Sequence, residues 1–374
     1  MRHSLTAAQV TDLYDEVYCK PPPLDFNTVL YTGNSTNDQS VTDVRLQPDL
    51  VWIKSRNTGT GTAYHGLWDS VRGTGGQLYS SLPNQETNTP NRLYSFDPDG
   101  FSLGNGSDPE YIGNNDYVAW CWKAGGSTST YNIDDVGYAT ASAAGLDSGT
   151  INPTGASVNT ATGFSIVKHK GTGGTGTVGH GLSTTPELII RKDLDAATDW
   201  WVYVPASPYF SYLNHADPFG LTNNAAYSYN QTTPTSNVFS VGNAYSGNVN
   251  NNNYIAYCFH SVDSYQRVGS YQGSGAAGKI VYTDSNGDGT GTGAFKPRFL
   301  MTKRTDTGGT DWHIWDSIRN PSNPLGDVLF PNEPYAETDY SAYPHNFLSN
   351  GFSIDTNNGA FNGLNGTYIY LAIA

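Results

Sequence analysis

Charge is scarce in this chain: of 374 residues only 14% are Asp, Glu, Lys or Arg, and acidic residues outnumber basic ones 33 to 19 for a net charge of −14. A nucleic-acid backbone is repelled by such a surface, which excludes nucleic-acid binding. Cysteine is scarcer still. Cys19, Cys121 and Cys258 are too few for a disulfide framework and lack metal-type spacing. No run of about 18 apolar residues occurs, and the first nine residues, Met1 to Gln9, hold no apolar stretch, so neither a membrane span nor a secretory signal is expected. The expectation is a protein made in the cytoplasm without a signal peptide and without membrane insertion.

What is abundant is Gly (42), Pro (20) and aromatic residues, with 26 Tyr, 14 Phe and 8 Trp. Turn formers and aromatics in these amounts exclude a helical bundle, and the aromatic content excludes disorder. They describe short strands joined by tight turns, an all-β class. One helix is expected, over residues 5–18, where apolar residues fall at 10, 13, 14, 17 and 18 until Pro21, Pro22 and Pro23 stop it.

The chain repeats itself three times. A proline-led apolar strand ending in a basic residue occurs at Pro48 to Lys54, Pro186 to Lys192 and Pro297 to Lys303; a Phe-Ser pair follows at Phe101, Phe239 and Phe352; an aromatic closing strand starts at Tyr117, Tyr254 and Tyr368. The first two landmarks are 53, 53 and 55 residues apart and the last two 16, 15 and 16. Three tandem antiparallel β-sandwich units of about 100 residues follow, jelly-roll-like in size. The reading places an N-terminal helix and Pro-rich linker at 1–23, units at 24–124, 161–262 and 263–374, and a Gly/Ser/Thr/Ala-rich connector at 125–160. Cys121 and Cys258 fall where the third unit has Ala372, so they read as small buried core residues. Each unit opens on a hairpin signal, as where Thr28 to Tyr31 runs into the polar turn 33–38.

Few residues point to chemistry. Asp284, Asn286 and Asp288 alternate as calcium-loop ligands do, with Gly287 and Gly289 between and after, but the twelfth position is Phe295 rather than a glutamate. A calcium site and a plain turn both fit. Trp68-Asp69-Ser70-Val71-Arg72 and Trp315-Asp316-Ser317-Ile318-Arg319 repeat in units one and three and read as ion-paired turns; unit two lacks them. Trp200, Trp201, Tyr209 and Tyr212 form an aromatic group in a polar setting, which fits a glycan platform or the core of a sandwich. The variable stretches 74–98, 205–236 and 320–349 read as the surface loops where recognition sits. No carboxylate pair, triad or histidine cluster nominates an active site, so an enzyme is not expected.

The strings Leu50-Val51-Trp52-Ile53-Lys54-Ser55-Arg56, Trp68 to Gly73, Ser95 to Phe101, Tyr117 to Lys123 and Tyr368 to Ala372 resemble a repeat domain of uncharacterised function found in tail-fibre-like and other virion proteins of aquatic bacteriophages. Residues 4–18 resemble the closing segment of a laminin-G/concanavalin-like domain, which implies such a domain upstream in related proteins. The resemblance implies a protein of the virion surface and carries over no catalytic residues. The expectation is a tail-fibre or adhesin-type protein that recognises host surface polysaccharide through loops of its sandwiches, meets other virion proteins and forms a homo-oligomer. The alternative is a purely structural subunit of a fibre, filament or capsid decoration that assembles with copies of itself.

Overall fold

The structure, a computed structural model, describes residues 24–374 other than 37, 58–63, 105–110, 221–228 and 244–246. The predicted helix over 5–18 and Cys19 lie outside the described residues. All else follows from strands: the described helix is four residues long, Gly359–Asn362.

Each unit is built on the same four strands. In unit one an opening strand (Phe26–Thr32) lies beside the closing strand (Asp116–Trp122), then the proline-led strand (Leu50–Ser55), then a hairpin strand (Gly66–Asp69). Unit two repeats that order with Phe164–Lys170, Asn253–Phe259, Leu188–Asp193 and Trp201–Val204. Unit three repeats it with Gln266–Gln272, Thr367–Ile373, Phe299–Arg304 and Trp312–Asp316. A second, smaller sheet covers one face of each, for example Gln39–Val41, Gly100–Leu103 and Leu93–Asp97 in unit one. The class is therefore all-β and sandwich-like.

Period-two alternation decides what each face does. On the closing strands Ala119, Cys121, Ala256, Cys258 and Ala372 face the small sheets, each in its own unit's core. All five are fully buried, as the small residues at these positions require. The alternate residues, Val118, Trp120 and Trp122, Ile255, Tyr257 and Phe259, and Ile369, Leu371 and Ile373, all enter one core shared by the three units. The three large sheets thus face one another, and none of the units is complete alone: its inner face is covered only by the other two.

Two expectations are corrected here. The stretch 125–160 is not a bare connector: Tyr131–Ile133, Val136–Tyr138 and Pro153–Asn159 are strands that extend the large sheet of unit two to eight, with one parallel pairing. Its Gly, Ser and Ala content hid strands that bury small side chains. The opening hairpins are also absent, because the opening strand and the strand after it belong to different sheets. At that corner Gly33, Gly171 and Gly273 occupy one equivalent position, and a Cβ there would sit 1.9, 2.1 and 2.1 Å from the backbone oxygens of Gly113, Val249 and Gly363. Glycine is what lets the chain pass over the sandwich edge so closely.

Candidate functional site

Three rings of equivalent positions join the units, and the first is hydrogen-bonded at all three corners. Seven residues beyond Tyr79, Tyr212 and Phe330, which occupy one register position, lie Glu86, Phe219 and Glu337. Their amides donate to Leu194 O (2.9 Å), Thr305 O (2.9 Å) and Arg56 O (3.0 Å), three carbonyls that are themselves equivalent. Unit one therefore bonds to unit two, two to three, and three back to one. A relation that closes after three steps is a rotation, so the units are arranged about a pseudo-three-fold axis.

The second ring uses residues that the sequence suggested for glycan binding. Trp200 and Trp312 are equivalent, and their indoles donate to Tyr79 O (2.8 Å) and Tyr212 O (3.0 Å) of the preceding unit. His65 holds the same position in unit one, where Trp52 Nε1 donates to its Nδ1 (2.8 Å). Burial pushes the pKa of His65 well below its ordinary value, against a weaker opposing effect from the Phe330 backbone of unit three.

The third ring explains the string missing from unit two. Tyr257 of unit two donates its hydroxyl to Asp69 of unit one (2.7 Å), and Trp120 of unit one donates its indole to Asp316 of unit three (3.0 Å). Both carboxylates are fully buried and paired with Arg72 and Arg319 at 2.5 Å. Glu86 and Glu337 complete each arginine at 2.9 and 2.8 Å. At the third corner the acceptor position holds Val204, the donor position Leu371 and the glutamate position Phe219, all in the shared core. Donor, acceptor and counter-charge are lost together, which leaves no buried group unpaired.

Trp200 and Trp201 are 0% and 3% exposed, so neither offers a ring face to a ligand; they are core and seam residues. Tyr212 is half-buried in the seam, and the side chain of Tyr209 lies outside the described residues. The stretches read as free loops hold the seam segments 79–86, 212–219 and 330–337 and are partly buried against neighbouring units. In the Asp284 loop, Asp284 is buried and its carboxylate accepts from the amides of Gly287 and Gly291 (2.9 Å), while Asp288 accepts from Thr290 N (2.9 Å) and Oγ1 (2.6 Å). These oxygens are engaged within the turn itself, and among the described residues no group of three or more His, Cys, Asp or Glu is placed to hold a metal. A cavity of about 20 Å³, lined by Leu50, Trp52, Met301 and other apolar side chains, lies in the shared core and is too small and dry for a ligand.

The pairing places nine connections at one end of the molecule. Ser55 lies opposite Tyr117, Asp193 opposite Tyr254 and Arg304 opposite Tyr368, so the strand ends that lead into segments 33–38 and 56–65 and out of 104–115, and their equivalents in units two and three, lie together. Of these 76 residues, 56 are Gly, Asn, Asp, Ser or Thr. Beside them stands Tyr335, 59% exposed, the most exposed tyrosine among the described residues. It interacts with the Glu333 carboxylate, and Asn332 Nδ2 donates to Asp311 (2.7 Å) and Glu333 (3.3 Å). Partial burial, then the neighbouring Asp311, raises the pKa of Glu333 above the usual carboxylate range. Sequence reading missed Tyr335. It lies in 320–349, and nothing in the sequence separated it from the buried Phe330 and half-buried Tyr340 of the same stretch.

Fold and site together define a closed, three-unit β protein whose polar loops share one end. The family described as Domain of unknown function (DUF7483) matches residues 22–374, and the chain belongs to it. No curated protein and no solved structure matches the chain.

Proposed function

We propose that this chain is a bacteriophage virion-surface module of tail-fibre or adhesin type, which recognises host surface polysaccharide at its loop end. The phage setting rests on the resemblance of the repeated strings; the place of recognition rests on the gathering of polar connections by the pseudo-three-fold ring. Asn, Asp, Ser and Thr provide paired donors and acceptors for sugar hydroxyls, and the exposed ring of Tyr335 provides a flat face for a pyranose. The Glu333 carboxylate beside that ring, with Asp311 near it, supplies acceptors for sugar hydroxyls, and the buried Asn332 holds both carboxylates in place.

Among the described residues, exposed large apolar side chains are single residues from separate segments, such as Tyr94, Val136, Ile280 and Leu364, and surfaces of that kind need no partner. That favours recognition over self-assembly as the main role. The test is retention of purified chain on a panel of immobilised bacterial surface polysaccharides. Binding that disappears in Tyr335→Ala, with an unchanged melting temperature, supports the reading. Failure to bind any of them, together with growth of the wild type into ordered filaments or shells, replaces it with the structural subunit.

A further inference from the structure

Between units two and three the seam carries a feature that the other two seams lack. His215 occupies the position of Leu82 in unit one and Glu333 in unit three, three residues past the equivalent aromatic. Its Nε2 lies 2.9 Å from Asp199 Oδ1 and its Nδ1 lies 3.0 Å from Asp217 Oδ2. A neutral imidazole has one N–H, and ionised carboxylates only accept, so bonding at both nitrogens requires the doubly protonated ring. The same segment makes the seam: Phe219 N donates to Thr305 O, and Gly309 N of unit three donates to Ala216 O (3.0 Å). His215 sits in the middle of this run, anchoring it to Asp199 at the start of its own hairpin.

We propose that residues 213–219 form a pH-dependent strap, latched while His215 carries its second proton and loosened from the third unit when that proton leaves. The ring is more than one-third exposed and exchanges protons with solvent directly. Among the described residues, Asp199 and Asp217 are the charged groups that act on it directly. Asp199, also bonded by Asn214 Nδ2 (2.9 Å), and Asp217 face its nitrogens, and the Tyr212 ring packs against it at 5.0 Å. Lys192 acts on Asp199; from unit three Lys303, itself near Asp311, acts on Asp217. Hydrogen bonds donated to Asp199, then to Asp217, hold the pKa of His215 above its ordinary value of 6.5. The sign follows: stabilisation of the strap is complete below 6.5 and is lost as pH rises through the folded value.

Backbone hydrogen exchange tests this within one molecule, because Glu86 and Glu337 make the same bond in seams without a histidine. Protection of the Phe219 and Gly309 amides, relative to Glu86 and Glu337, is expected to be constant below about pH 6.5 and to fall as pH rises above it, by up to about tenfold for each unit by which release lowers the pKa of His215. His215→Gln should flatten that dependence. A constant ratio in the wild type overturns the strap. A pH dependence that survives in His215→Gln also overturns it, and assigns the effect to Lys192 and Lys303, whose burial pushes both down to about 8.

Discussion

The amide of Glu337 donates to the carbonyl of Arg56, 281 residues earlier, and the Arg56 guanidinium grips the Glu337 carboxylate at 2.9 and 2.7 Å. Glu337 also accepts from the buried Arg319 at 2.8 Å, so one side chain ties the last unit to the first and completes the charge balance of the Asp316 corner. Glu337→Ala should therefore act on the whole ring rather than on one loop. A loss of about 2–3 kcal/mol is expected, since a buried arginine loses one of two carboxylates. Urea unfolding with an unchanged slope would show the loss as one cooperative transition; a separate early transition for unit three would mean that the units fold apart.

The corner without charges makes the opposite demand. Val204 stands where Asp69 and Asp316 stand, with Leu371 in place of the donating Trp120 and Tyr257. Val204→Asp would restore the acceptor with no donor and no arginine, and should cost about 3–5 kcal/mol or prevent folding. Tyr257→Phe, which removes only the hydroxyl bonded to Asp69, should cost about 1–2 kcal/mol. Chemical denaturation of the two variants side by side gives the order; a milder effect for Val204→Asp would show that water reaches this corner.

How much of this was legible depends on which interactions are local. Constant spacings between Pro48, Phe101 and Tyr117 and their counterparts carry the repeat, because register and sandwich crossing fix those lengths. The pairing of Asp69 with Arg72 is also readable, since three residues of turn bring the groups together. Closure of the ring is not. Trp120 and Ala119 look alike in a strand that is apolar on both faces, and only the fold shows that one enters the shared core while the other faces its own small sheet. For the same reason Trp200 reads equally as a glycan platform or as core: the polar residues around it satisfy a seam, as Asn214 does in accepting from the Trp200 amide at 2.9 Å.

Acid should unfold the protein early. Burial pushes His180 and His345 down to about 4, and His65, His169 and His313 well below 6.5. For a group whose folded pKa is depressed, stability is fully present above the unfolded value, here 6.5, and drains as pH falls toward the folded one. Each such histidine removes about 1.4 kcal/mol per pH unit in that window. Five acting together predict an unfolding midpoint between about pH 4 and about pH 6 at low denaturant. Far-ultraviolet circular dichroism against pH measures it, and a fold intact at about pH 3.5 would require these rings to find acceptors not seen at neutral pH.

The two kinds of aromatic residue can be separated by one pair of variants. Trp200 is fully buried, its indole donates to Tyr79 O, and its ring stacks near Tyr257 at a centroid distance of 6.5 Å. Trp200→Ala opens a cavity at the seam of units one and two and removes the indole bond to the Tyr79 carbonyl, so a loss of about 3–5 kcal/mol is expected. Tyr335 has most of its ring in solvent, and Tyr335→Ala should change stability by less than about 0.5 kcal/mol while removing any polysaccharide retention. If Trp200→Ala instead keeps full stability and loses retention, the glycan face lies in the seam and the loop end is only its rim. Thermal melts and retention measured on the same two preparations distinguish these outcomes, because only a surface role lets binding fail while the fold stands.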